Sequence, residues 1–86
     1  MRSLKSSGFQ KYFKRLPLEI QEKARKAFKL WLENPFHPSL RFKCIDREEN
    51  VWSIRIDRNY RALAYKEGDL FLWFWIGPHK EYERKL

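Results

Sequence analysis

The residues best equipped for chemistry lie in the second half of the chain. His79 follows an aromatic run in WFWIGPHKEY, and Tyr82 comes three residues later. An imidazole titrates near neutral pH, so it can take up or deliver a proton where most side chains cannot. Arg55 and Arg61, in WSIRIDRNYRAL, suit a different task. Their planar guanidinium forks bind phosphate bidentately and keep their charge. Lys43 adds a cation shortly before them. Each residue also has a plainer explanation. His79 reads equally as an exposed residue at the end of a strand, and Tyr82 as a ring closing the core. Arg61 could pair with a carboxylate such as Asp57, and Lys43 could be a solvated strand lysine. His37 lies between prolines in NPFHPSL and reads as part of a rigid loop.

The same inventory gives no support to a metal or a cofactor. Two histidines and one cysteine, far apart in sequence, match no zinc spacing. Cys44 is the lone cysteine, so it has no internal disulfide partner, which fits a cytoplasmic setting.

These residues need elements to hold them. Ser6 and Ser7 precede Phe9, Tyr12, Phe13 and Leu16, the spacing of one helical face with a serine as N-cap. Pro17 fits the first turn of a second helix. Ile20, Ala24, Ala27, Phe28 and Trp31 form its apolar stripe, and Asn34-Pro35 stops it. An antiparallel helix pair over roughly residues 7–34 is expected.

The period then changes. Arg41 to Ile45 alternates, and Asp46 to Asn50 reads as a turn. VWSIRI puts Trp52, Ile54 and Ile56 on one face and Val51, Ser53 and Arg55 on the other. DRN is a short polar turn. YRALAY places Ala62 and Ala64 opposite Arg61, Leu63 and Tyr65. KEGD turns at Gly68, and LFLWFWI is apolar on both faces, as in a central strand. The predicted fold is α+β, with two N-terminal helices packed on one face of a twisted, mainly antiparallel sheet of about four strands. The helices cover Trp52, Ile54, Ile56 and the two alanines, leaving Arg55 and Arg61 together on the other face. A slip of one residue would reverse that assignment. On the last strand Leu72, Phe74 and Ile76 are expected inward, with Trp73 and Trp75 on the arginine side. There the indoles could stack on bases or be buried.

At 86 residues one domain, 1–86, is expected, with a single core rich in rings from four Trp, four Tyr and seven Phe. The formal net charge of +8, from 19 Lys and Arg against 11 Asp and Glu, suits a polyanionic partner. No run approaches the ~18 apolar residues of a spanning helix, and the N-terminus lacks a signal-peptide core. No membrane partner is expected.

The pieces in their order carry a resemblance. LPLEIQEKARKAFKLWLENPFHPSLRFK, then WSIRIDRNYRAL, then FWIGPHKEY is similar to the RelE/ParE superfamily of bacterial toxins, over about Phe9 to Tyr82. The most specific parts are Leu16-Pro17, Asn34-Pro35 with Ser39-Leu40 after it, Tyr60-Arg61, and Gly77 with His79. The resemblance implies two N-terminal helices on a twisted antiparallel sheet, and a small acidic antitoxin as partner. Members usually begin with a strand, for which only Arg2 to Lys5 is available here. One branch cuts mRNA on the ribosome, and the other poisons DNA gyrase without cutting anything.

Under the first branch, cleavage without metal needs a base for the ribose 2′-OH, an acid for the leaving 5′-oxygen, and cations for the phosphorane. The resemblance maps these roles onto Arg55, Arg61, His79 and Tyr82; by residue type, Lys43 and Trp75 join Arg55 and Arg61 as expected RNA contacts. One departure stands out. RelE-like enzymes often carry two basic residues, one residue apart, on the central strand, and here Ser53 holds the first of those places. A gyrase inhibitor, or a non-catalytic basic module binding nucleic acid or a protein, is therefore an alternative.

Overall fold

Ser6 begins the helical part as the sequence predicts. Its hydroxyl accepts from the Phe9 amide at 3.0 Å, satisfying one of the free donors of helix α1 (Ser7–Lys14). Pro17 sits one place earlier than expected, as the N-cap of α2 (Leu18–Glu33), and its carbonyl takes the amides of Ile20 and Gln21. The computed structural model describes the backbone of residues 1–85 and the side chains of residues 1–82. Phe9 meets Phe28 edge-on at 5.6 Å, and Arg25 lies over the Phe13 ring at 5.3 Å. These pairings run in opposite senses along the two helices, as in an antiparallel hairpin.

Among the described residues five strands form one sheet: β1 (Arg2–Lys5), β2 (Lys43–Asp46), β3 (Val51–Asp57), β4 (Tyr60–Glu67) and β5 (Leu70–Pro78), in the order β1-β5-β4-β3-β2. The predicted antiparallel meander is β2 to β5. The fifth strand is the short N-terminal segment, which pairs with β5 in parallel. A last helix, α3 (His79–Lys85), starts directly at the end of β5.

Both helices pack on the face carrying Ile54, Ala62 and Ala64, each wholly buried. Alanine leaves room there for aromatic rings. Trp31 meets Phe71 at 5.1 Å and Trp73 at 5.3 Å, both nearly edge-on, and Phe28 meets Trp73 at 4.8 Å.

Trp73 therefore belongs to the helix side, and Leu72 and Phe74 do not, both contrary to expectation. A bulge in β5 is the cause. Ala64 pairs with Trp73 and Leu63 with Trp75, so Phe74 is an extra residue opposite no partner. Phe71 and Trp73 point inward, Leu72 is exposed, and Phe74 stacks on Tyr65 at 4.3 Å. Beyond the bulge the phase resets, with Ile76 inward and Trp75 on the arginine side as predicted. That outer face has a small core of its own, Val51, Leu63 and Trp75, flanked by Tyr12, Ile45, Phe74 and Tyr82.

Candidate nucleic-acid interface

The register of β3 and β4 sets Arg55 directly opposite Arg61 on the outer face. Like charges in that position repel. Burial, with Arg55 next and Arg41 adding to it, pulls the Arg61 guanidinium below its ordinary pKa, while the nearby Tyr82 works in the opposite direction. Among the described residues no carboxylate bonds either arginine. Arg61 instead uses Nη1 to donate to main-chain carbonyls of the β3–β4 turn, Asp57 O at 2.7 Å and Tyr60 O at 3.0 Å. Its Nε and Nη2 make no hydrogen bond among the described residues, and neither does Arg55. One edge of the Arg61 fork is anchored and the other is open.

The predicted Asp57 pairing thus takes a different form. Its carbonyl holds Arg61, while its carboxylate accepts from Lys23 Nζ at 3.3 Å and from the Asn59 amide at 2.8 Å.

β5 lies beside β4 with Gly77 opposite Arg61, which brings the start of α3 to the arginines. The His79 amide donates to Asn59 O at 2.7 Å, tying that start to the β3–β4 turn. One helical turn later Tyr82 stacks on the His79 ring, centroids 5.4 Å apart and planes 20° apart. Tyr82 also rests against the Val51–Leu63–Trp75 cluster. The fold therefore gathers Arg55, Arg61, His79 and Tyr82 at one end of the outer face. Lys43 is the register partner of Ser53, so it emerges on that face too, exposed, beside the place where the strand itself lacks a cation.

Trp75 is the correction among the expected RNA contacts. It is only 1% exposed, and its indole folds over Gly77, so its face is not open to a base. The bulge aims it outward, and Tyr12, Leu63 and Val51 then enclose it. His37 behaves as a loop residue: its Nδ1 lies 2.8 Å from Ser39 Oγ and accepts from the Ser39 amide.

Sequence reasoning missed Arg41. It ends the short turn Pro38–Leu40 with a left-handed φ of 45° and sits close enough to lower the Arg61 pKa. No motif announces it, because a loop conformation brings it there. Among the described residues no group of three His, Cys, Asp or Glu side chains could hold a metal. No helix among them is long and apolar enough to cross a membrane.

The family model of the ParE-like toxin domain matches residues 18–84. No curated protein matches the sequence significantly. Solved structures do match in fold. The toxin–antitoxin complex RelB–RelE of Methanococcus jannaschii is similar with a TM-score of 0.75 at 21% identity, covering 96% of this chain and 98% of that one. YafQ of Escherichia coli follows at TM-score 0.74 and 12% identity, covering 95% and 98%. The toxin–antitoxin complex RelBE2 of Mycobacterium tuberculosis has TM-score 0.71 and 17% identity, covering 91% and 96%. With most of its length matched by the family and nearly all of it by the fold, the chain belongs to the ParE-like toxin domain family, within the RelE/ParE toxin superfamily.

Proposed function

We propose that this toxin is a metal-independent endoribonuclease acting on ribosome-associated mRNA, silenced by a small acidic antitoxin. The observation that carries the reading is the Arg55–Arg61 pair, unbridged by any carboxylate among the described residues and set beside the stacked His79 and Tyr82. An anion between the two guanidinium groups would relieve their repulsion. The open edge of Arg61 is already oriented to bind it, because Nη1 is fixed by the turn.

In the reaction, the ribose 2′-oxygen attacks the adjacent phosphorus and loses its proton to a base. The bond to the 5′-oxygen breaks, and that oxygen takes a proton from an acid. The products are a 2′,3′-cyclic phosphate and a 5′-hydroxyl. His79 is the side chain suited to one of those proton transfers. Tyr82 orients the imidazole by stacking. Arg55 and Arg61 hold the phosphate and neutralise the charge that grows on it. Lys43 supplies a further cation for the strand, in the neighbourhood that Ser53 leaves without one.

The antitoxin follows from charge and from the relatives, two of which were solved as complexes of toxin with antitoxin. A groove of about 410 Å³ between α1 and α2 has an apolar floor of Phe9, Phe13 and Phe28 under a rim of Lys5, Arg25 and Lys29, which suits an acidic amphipathic segment. The proposed compartment is the cytoplasm.

The ParE-like character of the family match favours a second reading, inhibition of DNA gyrase without cleavage. One experiment separates the two. The chain and its His79→Gln variant are expressed in bacteria while translation, replication and mRNA ends are followed, the ends by primer extension. The expected result is arrested translation with new mRNA ends, and cleavage about 10²–10⁴-fold slower for His79→Gln. Arrested replication with intact mRNA would overturn the nuclease and establish the gyrase reading. Cleavage at the parent rate by His79→Gln would remove the histidine from the chemistry.

A further inference from the structure

A second cationic depression lies around the edge of β3 from the paired arginines. β2 begins only at Lys43, opposite Ser53, so it does not cover the β3 edge at Arg55. Arg55 therefore reaches two places. It is near enough to Arg61 to lower its pKa, and it also lines a cavity of about 450 Å³ under α2. The cavity floor is apolar, from Ala27, Leu40 and Ile56, all buried. Its rim carries Lys23, Lys26 and Ser39.

These cations are not equivalent. Asp57 takes up the charge of Lys23 at 3.3 Å, whereas Lys26 and Arg55 have no acidic partner among the described residues. The cavity volume falls in the ~300–1,000 Å³ range of ligand pockets. An apolar floor with two uncommitted cations at the mouth suits a base or ribose below and a phosphate above. Sharing Arg55 makes the two anion positions continuous.

We infer that this cavity is a second RNA subsite, holding one nucleotide of the single strand whose scissile phosphate lies between Arg55 and Arg61. The inference rests on the endoribonuclease reading and adds the path of the substrate: from the outer sheet face, past the end of β2, to α2. Lys26 is its specific phosphate ligand, and Arg55 is common to both subsites.

The test is fluorescence anisotropy with a uridine dinucleotide and a uridine hexanucleotide over a range of salt, on the parent, Lys26→Gln, Lys26→Arg and Lys29→Gln. Both lysines are exposed on α2, but Lys29 lines the groove facing α1, so its variant removes the same charge outside the cavity. Lys26→Gln should weaken the hexanucleotide about three- to tenfold, the worth of roughly one solvent-exposed hydrogen bond. Its log–log salt slope should become shallower by about 0.7. The dinucleotide, filling only the arginine site, should bind as before, as should both RNAs to Lys26→Arg and Lys29→Gln. Equal losses in Lys26→Gln and Lys29→Gln would overturn the subsite, since net charge alone would then explain them. Loss of polyglutamate binding in Lys26→Gln with RNA binding intact would overturn it too, by assigning the cavity to an acidic protein. Both results leave the nuclease standing. A parent that binds the hexanucleotide no more tightly than the dinucleotide would overturn the subsite, whereas the nuclease itself stands or falls by the mRNA ends formed in cells.

Discussion

Gly77 is the position where the fold of the site tolerates least. It pairs with Arg61, and the Trp75 indole folds directly over it. A Cβ added there would stand 2.7 Å from Trp75 Cζ2 and 3.2 Å from Cε2 and Cη2. Carbon atoms pack best at about 3.5–4.0 Å, so the indole would have to retreat by close to 1 Å. It has little room, being 1% exposed and enclosed by Val51, Leu63 and Tyr12. Overpacking of this kind costs about 1–3 kcal/mol. A domain of 86 residues has about 4–13 kcal/mol of stability in total. Gly77→Ala should therefore lower the melting temperature by about 5–20 °C. Urea titration followed by far-ultraviolet circular dichroism gives the free energy. Trp75→Leu provides the control: it costs stability itself, but on that background Gly77→Ala should cost little, a coupling of about 1–2 kcal/mol. If Gly77→Ala costs less than about 0.5 kcal/mol, or the same in both backgrounds, the indole is not the obstacle and the packing argument fails.

Arg55→Gln should raise stability by a few tenths of a kcal/mol, because it removes a like charge directly across from Arg61. The same variant should bind single-stranded RNA more weakly, so urea titration and anisotropy should move in opposite directions. Tyr82→Phe keeps the ring against His79 and loses only the hydroxyl. Its cleavage rate should fall between the parent and His79→Gln, and a rate as low as that of His79→Gln would give the hydroxyl a direct part in proton transfer.

Much of this arrangement was legible beforehand, for definite reasons. Helix periodicity and the serine cap located α1 and α2 because those signals are local. Alternation in VWSIRI and YRALAY put Arg55 and Arg61 on one face, since the β3–β4 pairing keeps a period of two from Val51 as far as Arg55, its register shifting only beyond that residue. LFLWFWI has no such alternation, being apolar on both sides, so it contains nothing to mark the bulge at Phe74. That single extra residue moved Trp73 into the helix-side core and left Trp75 enclosed on the other face. The cavity beside Arg55 was also illegible. It depends on β2 being too short to cover the β3 edge, a matter of pairing length, and on α2 lysines that sequence distinguishes from their neighbours only by helical phase.

The least informative stretch in the sequence, the turn Asp57-Arg58-Asn59, turns out to tie the site together. Polarity alone explains such a turn, yet three of its polar atoms, Asp57 Oδ2, Asp57 O and Asn59 O, bond residues outside it. The Asp57 carboxylate reaches Lys23 on α2 and closes the turn on the Asn59 amide. The Asp57 carbonyl fixes Nη1 of Arg61, and the Asn59 carbonyl receives the amide of His79. Arg61 and His79, the proposed phosphate-binding and proton-transfer residues, are thus both tied to one turn through main-chain atoms. Catalytic groups need placement to within about 0.5 Å, and bonds to backbone atoms can supply it where two repelling arginines would otherwise splay apart. The carboxylate that a stability argument would place between Arg55 and Arg61 instead holds the turn, which leaves the space between them for the proposed phosphate.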